Sequence, residues 1–546
     1  MLQIKNLTIT HKKDLKNILE DFSLTLNNGD KAVIIGEEGN GKSTLLQWIF
    51  DPDLIEDYCE SSGERIMPHL TAGYLPQELP HKDSEKTIYE YFLEEPLFFE
   101  QTPGTLRQMT REFGLPADFF YSEQRMGTLS GGEKVKTQIL RLRLRQPDIL
   151  LLDEPSNDID QETLEWLETF ILGWEQIVLY ISHDETLIEH TANTIIHLEQ
   201  IRHKTQCRYT TARMPYEQYC KERLSRFESQ ARIAANDRRE QKLRKEKYQR
   251  IYDSVAYAQA TITRQNPAKA RLLKKKMHAV KSMEHRFARE DETMTKMPEK
   301  EDAIFFKLGG ENAAIPAGKT ILAYALDKLY TPDHARVLSE NIQLHLRGPQ
   351  KICITGANGA GKTTLLKQIA KELLDRTDIH AEYMPQNYED LLDPLITPTD
   401  FLDSSGDQTE RTRIRTFLGA LKYTADEMDH PISQLSGGQK AKIFLLKMSL
   451  SDADVLILDE PTRNFSPLSG PVIRQLLKEF PGVIISISHD RKYISEVCDK
   501  VYRLTENGLK DMAFTYTDPR QLSRLSVPSA SQQPPTTMTG ENICRK

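Results

Sequence analysis

Short, almost wholly apolar runs recur in two sets along the chain. Residues 32–35 (AVII), 149–152 (ILLL) and 177–181 (IVLYI) in the first half are matched by 352–354 (ICI), 455–458 (VLIL) and 483–487 (VIISI) in the second. Aliphatic runs of this length ending in polar loops are the pattern of strands buried on both faces of a mostly parallel sheet. Functional groups then collect at the carboxyl ends of those strands. Between the sets the period changes. Tyr216, Cys220, Leu224, Phe227, Ala231 and Ala234 step by three and four, and so do Leu273, Met277, Val280, Met283 and Phe287. Two narrow apolar seams predict an antiparallel helical hairpin, with helices over about 215–252 and from Pro267 onward and a tip over 254–266.

Self-comparison makes the two sets a duplication. GEEGNGKST starts at Gly36 and GANGAGKTT at Gly356; LSGG starts at Leu129 and at Leu435. LLDEPSNDID is echoed by LILDEPTRNFS, and YISHD by SISHD. Ser130 to Ser436, Asp153 to Asp459 and His183 to His489 are each 306 residues apart, whereas Lys42 to Lys362 is 320. The second copy is therefore 14 residues shorter between its first and second motifs. This predicts an α/β fold of two nucleotide-binding domains, 1–202 and 303–515, joined by a helical-hairpin linker, 203–302. A Pro-, Ser- and Thr-rich tail, 516–546, is expected to lack a packed structure.

Composition narrows the setting. The 546 residues are 38% hydrophobic and 28% charged, and no run approaches the roughly 18 apolar residues that cross a bilayer. The N-terminus lacks the pattern of a secretory signal. Six cysteines form no CxxC pair, which disfavours a zinc site or a disulfide framework and leads us to expect a cytoplasmic protein. The net charge of −8 hides a contrast: residues 221–290 hold 20 Lys and Arg against 8 Asp and Glu, a local +12. A basic segment in an acidic protein suits a polyanionic partner.

The repeated motifs carry phosphate chemistry. GxxxxGKS/T is a phosphate loop, in which Gly36, Gly39 and Gly41, or Gly356, Gly359 and Gly361, let backbone amides wrap an anion at a helix start. Lys42 and Lys362 are expected on the β and γ phosphates of ATP. Ser43 and Thr363 are expected on Mg²⁺, and Thr44 and Thr364 beside them. Asp153 and Asp459, closing apolar strands, are candidates for the Mg²⁺ shell, and Glu154 and Glu460 for polarising the attacking water. His183 and His489, each 29 residues after its glutamate, are candidates to position that water. Gln77 and Gln386 are candidate metal- or water-contacting residues. Ser130, Gly131 and Gly132, and likewise Ser436, Gly437 and Gly438, open a helix and make a second anion site. One lobe cannot direct both of its anion sites at one nucleotide. The expected solution is a head-to-tail pair with two ATPs between the lobes, closed by ATP and released by hydrolysis.

At these residues the chain resembles the ATP-binding-cassette superfamily and, more narrowly, the ABC-F family: two cassettes, no membrane domain, a charged helical linker. The resemblance spans about residues 1–515. It implies an ATPase that binds the ribosome near the exit site, with the linker reaching toward the P-site tRNA and the peptidyl-transferase centre. It also implies a monomer with intramolecular cassette pairing. Site one would combine Lys42, Gln77, Glu154 and His183 with Ser436, Gly437 and Gly438. Site two would combine Lys362, Gln386, Glu460 and His489 with Ser130, Gly131 and Gly132. For the adenine, Tyr330 is the aromatic candidate in copy two, and copy one offers only His11. The family's EPTNHLD reads EPSNDID and EPTRNFS here, so Asp160 keeps the closing acid and Ser466 replaces it, which predicts unequal sites. Little room exists between Gln77 and Leu129 for the arm some members insert. Within the family both antibiotic protection and a housekeeping role on stalled ribosomes stay open. Outside it stand a transporter's ATPase subunit and a DNA-repair ATPase, the latter disfavoured by the absence of zinc modules.

Overall fold

The computed structural model describes residues 1–201, 206–261, 267–292, 294–295, 308, 315–316 and 318–512. In the first lobe the strands are β1 (Leu2–His11), β2 (Asn17–Leu26), β3 (Lys31–Ile35), β4 (Cys59–Ile66), β5 (Ala72–Leu75), β6 (Ile149–Asp153), β7 (Ile177–Ile181), β8 (Thr194–Ile201) and β9 (Gln206–Ala212). They form an antiparallel sheet β2-β1-β4 and a six-stranded sheet β5-β6-β7-β3-β8-β9, parallel except for β9. The second lobe has β10 (Thr320–Tyr330), β11 (Val337–Arg347), β12 (Lys351–Thr355), β13 (Ala381–Met384), β14 (Val455–Asp459), β15 (Val483–Ile487), β16 (Lys500–Thr505) and β17 (Gly508–Met512). Its large sheet runs β13-β14-β15-β12-β16-β17, the same order position for position. The α/β duplication expected from the apolar runs is present.

Alternation along the central strands sets the layers. In lobe one Ala32, Ile34, Leu151 and Leu179 face the helix Lys42–Phe50 and the antiparallel sheet, while Val33, Leu150, Leu152 and Tyr180 face the helices of the other layer. Each such Val, Leu or Ile side chain contributes about 1.5–3 kcal/mol of burial, so the site's frame is the sheet rather than its loops. The shortening of copy two lies mostly after the phosphate loop: Lys42 and Gln77 are 35 residues apart, Lys362 and Gln386 only 24. Lobe one uses that stretch for β4, and β10-β11 has no third strand among the described residues.

Three expectations need correction. Lobe one does not stop at 202, because β9 completes its large sheet by pairing with β8. The first linker helix runs 45 residues, Tyr216–Ala260, through what was expected to be tip. The sequence SVAYAQA at 254–260 has neither Gly nor Pro to stop it. At 1.5 Å per residue it reaches about 68 Å. Leu224 is exposed rather than in the seam, while Tyr216 and Tyr219 are buried, because the first turns pack on lobe one and not on the return helix. The return helix Pro267–Glu292 starts where Pro267 suggested. Ala234, Leu273 and Val280 are buried in the hairpin, and Tyr248 donates to Glu284 at 3.0 Å. The expectation for the tail, 516–546, lies outside the described residues.

Candidate nucleotide sites

The sheet order β6-β7-β3 puts three strand ends side by side. The phosphate loop follows β3, His183 follows β7, and Asp153 and Glu154 end β6, so one edge gathers them; β14-β15-β12 does the same in lobe two. Gly41 and Gly361 hold left-handed φ values of 82° and 94° just before the helices Lys42–Phe50 and Lys362–Leu374. A Cβ on Gly41 would stand 2.0 Å from the Ile18 side chain. Loop and helix start thus form an anion cradle. Lys42 Nζ donates to the carbonyls of Gly36 (3.0 Å) and Glu37 (3.1 Å), and Lys362 Nζ to those of Gly356 (2.8 Å) and Ala357 (3.0 Å). Burial lowers both lysine pKa values, and the nearby Glu154 or Glu460 charge opposes that shift.

The lobes face each other head to tail. A cavity of about 780 Å³ lies between them, lined by Lys362, Thr363, Thr364, Gln386, Glu460 and His489 from lobe two and by Ser130 and Gly131 from lobe one. Ser130 caps the helix Gly131–Arg145 through the backbone of Glu133, and Ser436 caps Gly437–Leu450 through that of Gln439. The loop after β6 crosses the interface. The Asp158 carbonyl accepts from Asn358 at 2.7 Å, and its carboxylate meets Arg463 at 2.9 Å and Gln386 at 3.4 Å. In the other direction the Phe465 carbonyl receives His183 Nδ1 at 2.8 Å. Asp160 caps the helix Gln161–Gly173, whereas Ser466 turns inward to the Ser469 hydroxyl.

Opposite site one the arrangement differs. Glu38, in the first phosphate loop, accepts from the Gly438 amide at 2.7 Å, and its carboxylate packs over the bare Gly437. Beside it Glu37 pairs with Lys442 at 3.2 Å. An acidic side chain of lobe one therefore occupies the anion-accepting helix end of lobe two, and the cleft there encloses only about 40 Å³.

A comparison with protein families matches the one described as ABC transporter twice, over residues 19–157 and 339–463. Among curated proteins the chain is 26% identical to the putative ATP-binding protein YdiF of Bacillus subtilis, over all of this chain and 86% of that one. It is 26% identical to the ATP-binding cassette sub-family F member 2 of Mus musculus, over 92% of this chain and 80% of that one. The chain is a tandem ATP-binding-cassette protein of the ABC-F type. Its similarity to the ribosome protection protein VmlR of Bacillus subtilis is 25% over 93% of this chain and 88% of that one. In fold, it matches archaeal ABCE1, solved with the stalk protein aP1, at a TM-score of 0.56 and 17% identity, covering 93% and 90% of the two chains. No described helix is long and apolar enough to cross a membrane.

The acids of this ABC-F chain are held in two states. Glu154 and Glu460 both sit at positive φ, 49° and 53°, an uncommon conformation for a non-glycine residue that recurs at functional sites. His183 Nε2 meets Glu154 at 3.0 Å, and Gln77 lies 3.5 Å from it. The His183 ring thus lies between two acceptors, the Phe465 carbonyl at Nδ1 and the Glu154 carboxylate at Nε2. Burial alone would raise the Glu154 pKa, but the His183 charge and hydrogen bond, with Lys42 and Asn157, bring it to about 2. In site two His489 Nε2 is 3.8 Å from Glu460. Burial, reinforced by Asp459, raises Glu460 to about 8, and burial with the Lys362 charge lowers His489 to about 4.

The residues fit a divalent cation best in site two. Among the described residues no hydrogen-bond partner reaches either oxygen of the buried Asp459 carboxylate; burial raises its pKa, and the nearby Thr363 hydroxyl offsets this in part. Free carboxylate lone pairs beside a hydroxyl suit a hard ion such as Mg²⁺. In site one Asp153 accepts from Ser43 at 3.0 Å and Tyr74 at 3.1 Å. Tyr330 is outside the cavity lining, its ring 5.7 Å from His334; Thr331, Pro332 and Arg336 form that wall. His11 pairs with Asp14 at 2.8 Å. Sequence reasoning missed Glu38, Asp158 and Arg463. For Glu38 the signal was present, since the two loops read EEGN and ANGA between shared glycines.

Two outcomes are expected. Glu38→Asn, which copies Asn358, frees the Gly438 amide, and titration calorimetry should change from one tight nucleotide site to two of similar affinity. In nucleotide-free protein the two glutamates should act oppositely on stability. A depressed Glu154 stabilises above pH 4.5 and loses this as pH falls toward 2. A raised Glu460 stabilises below pH 4.5 and loses this as pH rises through 8. At pH 7.5 Glu154→Gln should therefore lower the melting temperature and Glu460→Gln raise it. A lobe of this size moves about 2–4 °C per kcal/mol, within reach of thermal-shift measurement.

Proposed function

We propose that this ABC-F protein is a cytoplasmic, ATP-hydrolysing factor that binds the ribosome in its ATP-closed form and protects or rescues translation from an antibiotic of the peptidyl-transferase centre. The observation that carries the reading is the large cavity between the lobe-two phosphate loop and the lobe-one signature helix, joined on the same chain to a long basic hairpin. A nucleotide there has hydrogen-bond partners on both sides only when the lobes are closed, so it favours closure by its differential contacts. Mg²⁺, when bound with ATP, supplies charge neutralisation at the phosphates. Lys362, Thr363 and Asp459 would hold that end, Ser130 and Gly131 would complete it from lobe one, and Gln386 would stand at its edge.

Glu460 is the proposed base toward the attacking water. Raised to about 8 by burial, it is largely protonated at neutral pH before nucleotide enters, so closure must change its surroundings before it accepts a proton. His489, backbone-bonded to Glu460 at 3.2 Å, positions it. In site one Glu154 is already ionised and held by His183, but Glu38 fills the opposing helix end. Site two, whose cavity is open, turns over first and site one acts as the slower partner.

The linker supports the ribosomal partner. Arg271, Lys274, Lys275 and Lys276 are exposed near the start of the return helix, where they suit the phosphates of rRNA and P-site tRNA. VmlR and ABCE1 are relatives whose names or structures refer to the ribosome, which supports the same partner here. A housekeeping role on stalled ribosomes shares all these features, and drug-susceptibility assays separate it from protection.

The Glu154→Gln, Glu460→Gln protein should co-sediment with ribosomes only in Mg-ATP; no retention, with wild-type ATPase intact, would sink the reading. Charge reversal at Arg271, Lys274, Lys275 and Lys276 should weaken that retention and leave basal ATPase unchanged, whereas equal loss of both would indicate misfolding.

A further inference from the structure

Away from the nucleotide sites, the lobes meet through a buried ionic seam whose polarity is inverted between the two copies. The 306-residue offset makes Glu168 the counterpart of Arg474, and Glu185 the counterpart of Arg491. The contacts follow the same pseudo-twofold. Arg474, on the helix Gly470–Glu479, forks onto Glu185, on the helix Glu185–Thr191, at 2.6 and 3.3 Å. Arg491, on the helix Arg491–Val497, pairs with Glu168, on the helix Gln161–Gly173. The first pair is deeply buried, with side chains 4% and 8% exposed, and the second nearly so at 15% and 13%. A Cβ on Gly470 would lie 2.1 Å from the Glu185 carboxylate, so the lobe-two helix start is shaped to admit that acid.

The surrounding charges keep the same sense. Lys492 of lobe two pairs with both Glu185 and Glu189 of lobe one. Within its own lobe Glu168 meets His190 at 2.9 Å, and Arg474 meets Glu496 at 2.8 Å. Asp184 lies 3.9 Å from Arg491. Lobe one therefore presents Glu168, Asp184, Glu185 and Glu189, and lobe two presents Arg474, Arg491 and Lys492.

We propose that this seam selects the closing partner: lobe one pairs with lobe two and rejects another lobe one, and lobe two rejects another lobe two. Two copies of lobe one in the same geometry would set Glu168 against Glu185 twice. Two copies of lobe two would set Arg474 against Arg491 twice. Buried charges without a counter-ion are strongly unfavourable, whereas the bidentate Arg–carboxylate pair is well matched. Like-charge contact is the means by which similar surfaces are kept from the wrong partner. The selection matters because the lobes share one sheet order and the same LSGG helix start, so the fold alone does not distinguish them. It holds whatever macromolecule the linker meets.

The test uses the full chain. Glu168→Arg with Glu185→Arg makes both faces basic, and Arg474→Glu with Arg491→Glu makes both acidic; all four together restore complementarity with reversed polarity. Small-angle scattering with and without Mg-ATP reads closure. Each double variant should need at least about tenfold more nucleotide to contract, equivalent to about 1.4 kcal/mol, and the fourfold swap should recover toward wild type. Mixing the two double variants should produce a one-to-one complex by light scattering. Contraction of both doubles at wild-type nucleotide concentrations, or a swap no better than either half, would overturn the proposal. The altered side chains are solvated when the lobes part, which favours folding. Should a reversal unfold, Glu185→Gln and Arg474→Gln, singly and together, give the same decision. Non-additive loss supports the pair, and additive loss removes it.

Discussion

A buried anion facing a helix end must draw its hydrogen bonds from two lobes at once, and this requirement organises the molecule. Each phosphate loop points at the other lobe's signature helix, and neither half of a site completes the cradle alone. In site one the chain meets the requirement itself, since Glu38 supplies a carboxylate to the Gly438 amide. In site two it leaves the cradle open, with the Asp459 oxygens unpaired among the described residues and Lys362 folded back onto its own loop carbonyls.

From that difference the other asymmetries follow. Where the lobes are in contact, His183 bridges Phe465 of one and Glu154 of the other, and the acid stays ionised. Where the cavity remains, His489 is withdrawn from Glu460, and burial keeps the acid protonated. The same residue types at the same offsets thus have opposite charge states, because the partner lobe sits at a different distance from each.

The linker is coupled to this interface at its root. Tyr216 and Tyr219 are buried in the lobe-one core, Tyr219 bonds His197 of β8 at 2.8 Å, and Arg223 pairs with Glu199 of the same strand at 2.8 Å. Lever-like extension from a rigid root lets a small rotation between lobes become a larger displacement at the far end of a helix about 68 Å long. The root of this first helix is packed into the lobe-one core, so the hairpin follows that lobe as the two close.

Local chemistry made much of this legible. Apolar runs foretold the strands, and the shared 29-residue offset marked His183 with Glu154, because a strand order common to both copies brings fixed offsets to one edge. Pro267 marked the return helix because proline suits a first turn. The linker tip was misplaced because a break in apolar period is not a break in helix when nothing stops the backbone. Leu224 was misassigned because a seam read from one helix does not say which neighbour covers it. The sequence by itself determined the two cassettes, their phosphate loops and acids, and the basic linker, since each depends on residues close in the chain or on an exact repeat. Only the tertiary structure decided that Glu38 occupies the opposing signature helix, that Glu154 and Glu460 hold protons differently, and that Glu168 and Arg474 exchange roles across a seam. Those outcomes depend on distances and burial between residues some 300 to 400 positions apart, and electrostatic strength is set by separation and dielectric rather than by residue type.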